Sequence, residues 1–349
     1  MPGSHGFNPS PAETRTLQSA ACGYRTFDSW SLSNVWSDLS IVLPEECDYM
    51  PTEARWRIFN GFTWTRITSE HWHIPLVATA LYLLMIPLVK RIMADRKPLY
   101  LQSIVVTWNF ALSIFSMAGV AYCVPQLLFG RDVGLFTGGF YPSVCTHASS
   151  YGMGESGFFV ALFIYSKLAE LFDTLWLLLR KSPVILLHWY HHATVLLYCW
   201  HAYSVRIGTG LWFAAMNYSV HALMYFYFGV TQTGPKGRKL AKKFSMMITS
   251  LQLLQMVVGI YVTISSVLYH AQGKTCYVSL TNSFLGLVMY SSYFVLFLQL
   301  FLSHYVFNKK DAKLPAPARD HGAADALNQA ADAAAKAKPA DSGRPKKAD

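Results

Sequence analysis

Charge is what this sequence has least of. Asp, Glu, Lys and Arg make up only 14% of its 349 residues, against roughly 25% in a soluble protein. That shortfall excludes an ordinary water-soluble domain, the more so because 53% of the chain is hydrophobic. Acidic residues are the scarcer sign, 19 against 29 basic, for a formal net charge of +10. Such an excess can mark a nucleic-acid binder. Here the basic residues flank long apolar runs, so no nucleic-acid partner is expected and the charge orients helices instead. The six cysteines include no CxxC or other paired spacing, which removes a structural zinc site and a disulfide-rich secreted module. Residues 1–70 lack an apolar core behind a basic start, so no signal peptide is expected there.

Long apolar runs are what the sequence has in plenty. Seven of them lie near 74–92, 103–128, 158–179, 183–201, 209–229, 244–268 and 283–307. Each reaches about 18 residues or more, enough to cross a hydrocarbon core ~30 Å thick at ~1.5 Å per residue. They predict an all-α polytopic membrane protein with seven transmembrane helices. Residues 1–73 form a polar N-terminal segment and 74–307 the membrane domain. The Ala- and Lys-rich tail, 308–349, has the composition of a disordered segment. Of the 29 basic residues, 20 fall on one side of this arrangement, 8 on the other, and Lys167 inside a span. The positive-inside rule makes the richer side cytosolic, with the N-terminus on the opposite, lumenal side and the C-terminus in the cytosol. The chain ends in Lys346-Lys347-Ala348-Asp349, which resembles the dilysine retrieval signal of endoplasmic-reticulum membrane proteins. An arbitrary end to a Lys-rich tail is the alternative.

Polar side chains inside the spans are costly in a bilayer and therefore point to function. The third span carries Lys167, Glu170, Asp173 and Thr174 in "SKLAELFDTLW", a spacing that shares one helical face. The fourth carries His188, His191 and His192 in "HWYHH", at i, i+3 and i+4. The fifth carries Asn217, His221 and Tyr225 at steps of four, and the sixth Thr249, Gln252 and Gln255 at steps of three. His191 and His221 both lie about eight residues, or ~12 Å, inside the cytosolic boundary. Four polar faces at one depth predict a single site. An internal Lys167–Glu170 ion pair that only fixes packing is the plainer reading of the third span, and His201, His270 and His304, near span ends, read as interfacial.

Two chemistries fit the histidines. Imidazoles at i, i+3 and i+4 can share a metal, as in membrane di-iron desaturases and hydroxylases, but those use several histidine boxes and this chain has one plus His221. A neutral imidazole can instead act as a nucleophile towards a thioester, with a second as base or orienter. The basic cytosolic rim then has the charge to hold the phosphates of a coenzyme A ester.

The motifs match a known pattern. "KLAELFDT", "HWYHH", "NYSVHALMYFYF" and "TSLQLLQ" occur in the order of the ELO family of fatty acid elongases, which the chain resembles over roughly residues 70–310. Phe228 stands where a tyrosine is common. "HWYHH" is similar to the branch that favours saturated and monounsaturated chains. The resemblance implies a seven-helix protein of the endoplasmic reticulum whose last six helices surround a closed acyl tunnel. It implies condensation of an acyl-CoA with malonyl-CoA to 3-oxoacyl-CoA, with no metal and no cofactor beyond these substrates. His191 would be the nucleophile, His221 would assist decarboxylation, and His188, His192 and Asp173 would orient or donate. Lys167, Glu170, Asn217, Tyr225, Thr249, Gln252 and Gln255 would bind substrate. A ketoacyl-CoA reductase, a dehydratase and an enoyl reductase become expected membrane neighbours; a homodimer stays open. The family also places a lumenal disulfide between the loops that hold Cys145 and Cys276, with Cys22 and Cys47 as competing partners.

Overall fold

A computed structural model describes Phe59 and residues 61–306, apart from 132, 149–151 and 153. The expected disordered tail, the dilysine-like end, Cys22 and Cys47 lie outside the described residues. Among the described residues there are helices and no strand. In chain order they are α1 (Gly61–Glu70), α2 (His73–Met93), α3 (Gln102–Phe129), α4 (Phe140–Cys145), α5 (Gly154–Glu170), α6 (Phe172–Leu179), α7 (Leu186–Ser204), α8 (Gly210–Gln232), α9 (Pro235–Lys242), α10 (Ser245–Ala271) and α11 (Leu280–Phe301). A π-helical turn, Leu302–Val306, extends the last one.

Four of these elements, α2, α3, α10 and α11 with its π-turn, are long and apolar enough to cross a membrane. Their outward faces carry Leu76, Leu84, Ile114, Leu254 and Val295 bare of protein cover. That surface would be untenable in water and is ordinary against lipid. The chain is a multi-pass membrane protein. Helices α7 and α8 are of similar length, but carry the histidines and amides that lower their hydropathy.

Every apolar run appears as helix, with two informative shifts. The run over 158–179 is two helices, α5 and α6, interrupted at Leu171, whose own dihedrals stay helical (φ −60°, ψ −26°), so the axis continues. The break separates Glu170, bound to Lys167, from Asp173, which turns to other partners. The fourth helix begins at Leu186 rather than near 183. Pro183 cannot donate and disfavours helix before it, and Ile185 is still extended (φ −77°, ψ 160°). The segment read as merely polar also holds a helix, α1. It packs against α5 and α7, where Trp200 Nε1 donates to the Thr68 carbonyl at 2.8 Å and Arg206 Nε to Thr65 Oγ1 at 2.7 Å.

Helices α3 and α8 pack along each other more extensively than any other pair. Each lends the other a glycine. A Cβ at Gly119 of α3 would stand 2.5 Å from the Tyr218 ring of α8, and one at Gly229 of α8 would stand 2.9 Å from the Phe110 ring of α3. Small residues opposite aromatic rings let two apolar helices approach closely where lipid offers no hydrophobic drive. One end of the bundle is then tied covalently: Cys145, closing α4, is bridged to Cys276 in the loop before α11. The opposite end carries Arg180, Lys242 and the π-turn.

Candidate active site

A cavity of about 220 Å³ opens into the bundle at the Arg180 end, between α3, α6, α7, α8, α10 and α11. Its wall includes His188, His191, His192, Asp173, Asn217, His221, Tyr225, Thr249, Gln252 and Gln255. These are ten of the twelve site residues read from the motifs. The structure brings them together from four helices, α6, α7, α8 and α10.

The two that it leaves out are Lys167 and Glu170. Both are buried and sit behind the wall as an ion pair, Nζ to Oε1 at 2.6 Å. Substrate contact is not what their position offers. Their bonding suggests another use. Lys167 Nζ, which can only donate, reaches Asn217 Oδ1 at 3.3 Å. That fixes the amide so that Nδ2 faces His221 Nε2, 3.1 Å away. An amide N–H donates, so Nε2 must accept, and the His221 proton sits on Nδ1. The pair thus sets one histidine's tautomer from one residue back.

Asp173, expected to orient or donate to the histidines, lines the same cavity but binds other partners. One oxygen accepts from Trp108 Nε1 at 2.6 Å and the other from the Tyr225 hydroxyl at 2.8 Å. The side chain that meets a histidine here is its neighbour: Thr174 Oγ1 lies 2.9 Å from His188 Nε2. Adjacent positions on a helix point about 100° apart, so Thr174 meets α7 while Asp173 faces α3 and α8.

The three histidines of α7 form one cluster, with ring centroids 4.5 Å apart for His188 and His192 and 5.5 Å for His191 and His192. Tyr293 of α11 holds His191: their rings are 4.8 Å apart, and the tyrosine hydroxyl donates to the His191 carbonyl at 3.2 Å. The Nδ1 atoms of His191 and His192 are buried, so the nitrogen that His191 turns to the cavity is Nε2. Among the amides, Gln252 donates to Met224 Sδ at 3.2 Å, and Gln255 is buried against the wall.

Several groups at the site carried no sequence signal. Trp108 and Tyr82 are lone polar atoms in apolar runs. His304, read as interfacial, lines the cavity from the π-turn, a deformation frequent at functional sites. Arg180, read as loop charge, is buried, lines the cavity, and donates from Nη2 to Gln232 Oε1 at 2.9 Å. Burial lowers its pKa, which lies outside the spans. His201 is buried at the far end of α7, accepting at Nδ1 from Asn282 Nδ2 at 2.8 Å. A second cavity of about 50 Å³ lies at that end, among α1, α5, α7 and α8, and shares no lining residue with the first. Among the described residues no three His, Cys, Asp or Glu side chains converge as a metal-binding set.

The sequence profile described as the GNS1/SUR4 family, ELO, matches residues 67–313. Among curated relatives, "Fatty acid elongase 3" of Trypanosoma brucei brucei is 42% identical over 278 residues, covering 74% of this chain and 92% of the relative. "Fatty acid elongase 3" of Trypanosoma cruzi is 38% identical over 280 residues, with 74% and 93% covered. "Very long chain fatty acid elongase 6" of Drosophila melanogaster is 36% identical over 277 residues, with 78% and 82% covered.

Proposed function

The chain belongs to the ELO family, and on that footing we propose that it is a fatty acid elongase catalysing the condensing step. It joins a long-chain acyl-CoA to malonyl-CoA and releases 3-oxoacyl-CoA, carbon dioxide and coenzyme A. The names of the relatives supply the field, fatty acid elongation. The observation that carries the chemistry is the convergence of the α7 histidines and His221 on one buried cavity with a basic mouth.

In this reading Arg180 and Lys242 at the mouth receive the coenzyme A phosphates, and the acyl chain runs inward. His191 Nε2 attacks the thioester carbonyl; the C–S bond breaks, and coenzyme A leaves with the electron pair as a thiolate. The product is an acyl-imidazole that carries a positive charge, since His191 keeps its proton on Nδ1, and it survives because the apolar bundle keeps water away. Malonyl-CoA follows. Its carboxylate departs as carbon dioxide, and the electron pair left behind forms an enolate that attacks the acyl carbon and frees the His191 nitrogen. His221, held with its proton on Nδ1, is the group for the enolate. Developing negative charge on oxygen is where a fixed donor in a dry site does most.

The bundle is read as seven spans, the last six around an acyl tunnel, in the endoplasmic-reticulum membrane. The 20-to-8 distribution of basic residues supports a cytosolic Arg180 end. The Cys145–Cys276 bridge at the other end fits an oxidising lumen. Saturated and monounsaturated chains are the proposed substrates, and a ketoacyl reductase, a dehydratase and an enoyl reductase the proposed neighbours.

The test is acyl-CoA alone. Purified chain given a labelled saturated acyl-CoA without malonyl-CoA should release free coenzyme A and retain label, and His191→Ala should do neither. Wild-type accumulation of labelled protein by His191→Ala would move the nucleophile elsewhere.

A further inference from the structure

Helix α2 faces outward almost throughout; its buried residues are Pro75, Thr79, Tyr82 and Met93. One of the four, Tyr82, brings a hydroxyl into the histidine cluster, although it belongs to none of the four motifs. Its oxygen lies 2.9 Å from Thr174 Oγ1, and that same hydroxyl lies 2.9 Å from His188 Nε2. The Tyr82 ring also faces His192, centroid to centroid 6.5 Å. Tyr82 is 3% exposed and Thr174 fully buried.

The direction of these bonds follows from counting protons. Among the described residues Thr174 is the only hydrogen-bond partner of the Tyr82 hydroxyl. A buried phenol O–H that did not donate would forfeit its hydrogen bond at full desolvation cost. Tyr82 therefore donates to Thr174. Thr174 has a single proton to give, and it passes to the remaining neighbour, His188 Nε2. A neutral imidazole that accepts at Nε2 carries its proton on Nδ1. Since His188 lines the cavity and its Nε2 is engaged, Nδ1–H is the polar group that the ring offers to whatever enters.

We propose that Tyr82 is a positioning residue: through Thr174 it holds His188 as the Nδ1–H tautomer, so that this ring donates a hydrogen bond to the acyl oxygen during thioester attack. The proposal rests on the acyl-imidazole reading above. As His191 Nε2 bonds to the acyl carbon, the C=O electron pair moves onto that oxygen; it returns as the C–S bond breaks. No proton leaves Tyr82, Thr174 or His188. The relay acts by fixing which nitrogen carries the hydrogen. Without the phenol, Thr174 is free to turn and accept from an Nε2–H tautomer, which aims a lone pair at the developing charge. Because the bond tightens in the transition state and not on binding, its loss lowers kcat and spares KM.

The experiment uses purified full-length chain and four variants: Tyr82→Phe, Thr174→Val, Thr174→Ser and the Tyr82→Phe/Thr174→Val double. Single-turnover coenzyme A release, KM for acyl-CoA, overall condensation and thermal melting are read for each. Tyr82→Phe should slow acylation about tenfold, with KM within about twofold and melting shifted by less than about 2 °C. Thr174→Val should match it, Thr174→Ser should recover most of the rate, and the double should be no slower than Thr174→Val alone. A wild-type rate in Tyr82→Phe overturns the proposal, as do losses that multiply in the double. So does a loss that follows raised KM and lowered melting, since that is packing alone. A wild-type chain that forms no acyl-protein defeats the acyl-imidazole reading instead; the relay is then judged by the same four variants in overall condensation.

Discussion

The two ends of the bundle are made of opposite materials. At the Arg180 end, ten of the motif residues share one cavity wall, which is braced by bonds running from Lys167 to Asn217 to His221 and from Trp108 to Asp173 to Tyr225. At the disulfide end the helices close over Trp200, Leu211, Ala214 and Tyr218, and around Val144, Phe213, Val262 and the Cys145–Cys276 bridge. One end is open and ordered by polar geometry; the other holds the smaller cavity and is ordered mainly by packing and a covalent tie. A polar network fails group by group, because each donor has one assigned acceptor. An apolar core fails by degrees, because its contacts are many and weak. Substitutions at the first end should therefore appear in turnover, and at the second in stability.

The largest expected effect is at His191. His191→Ala should abolish condensation, a loss of at least about a thousandfold, with melting close to wild type. Proportionate loss of turnover and melting would blur the contrast between the ends. His221→Ala comes next: labelling by acyl-CoA should persist while condensation with malonyl-CoA falls at least about a hundredfold, measured as 3-oxoacyl-CoA formed. Equal loss of both steps would remove the division of labour.

Glu170→Ala crosses between the two regimes. It leaves a buried ammonium without its counter-ion, at a cost of about 3–5 kcal/mol, so yield and melting should drop along with activity. Asp173→Asn, which keeps the shape, should lose activity with less loss of yield. A Glu170→Ala protein of normal yield would show that the pair contributes nothing structural. The smallest effect on turnover belongs to the far end. Cys145→Ser opens a bridge spanning 131 residues of sequence and should cost about 2–4 kcal/mol, seen as melting roughly 5–10 °C lower, with kcat per folded molecule nearly unchanged. A large fall in kcat would mean that the two ends are not independent.

The sequence was most legible where chemistry is concentrated. A histidine or lysine in an apolar run is conspicuous because the bilayer makes it expensive, and the wall that His188, His191, His221 and Gln252 share follows from face and depth. Tyr82 and Trp108 were not legible, because one hydroxyl or one indole N–H on a large ring disturbs no apolar pattern. The Lys167–Glu170 ion pair was legible from its spacing, whereas the partners of Asp173 were not. Spacing gives the face of a helix but not which neighbour waits there, and Asp173 and Thr174, adjacent and so pointing about 100° apart, meet different partners. Helix α1 was missed because "GFTWTRITSE" mixes polar and apolar residues and gains its partners, Tyr165 and Trp200, only from distant helices.

The bridge also sets an order in time. Between Cys145 and Cys276 lie α5 to α10, which carry every one of the four motifs. At about 5–20 residues per second of synthesis, Cys145 waits on the order of ten seconds before its partner exists. The clasp can close only once all of those helices have been made, so a nascent chain that has acquired it has already passed the point at which a motif could be absent. Oxidation of this one pair is thus a receipt for completed assembly, readable as the mobility of pulse-labelled chains on a non-reducing gel.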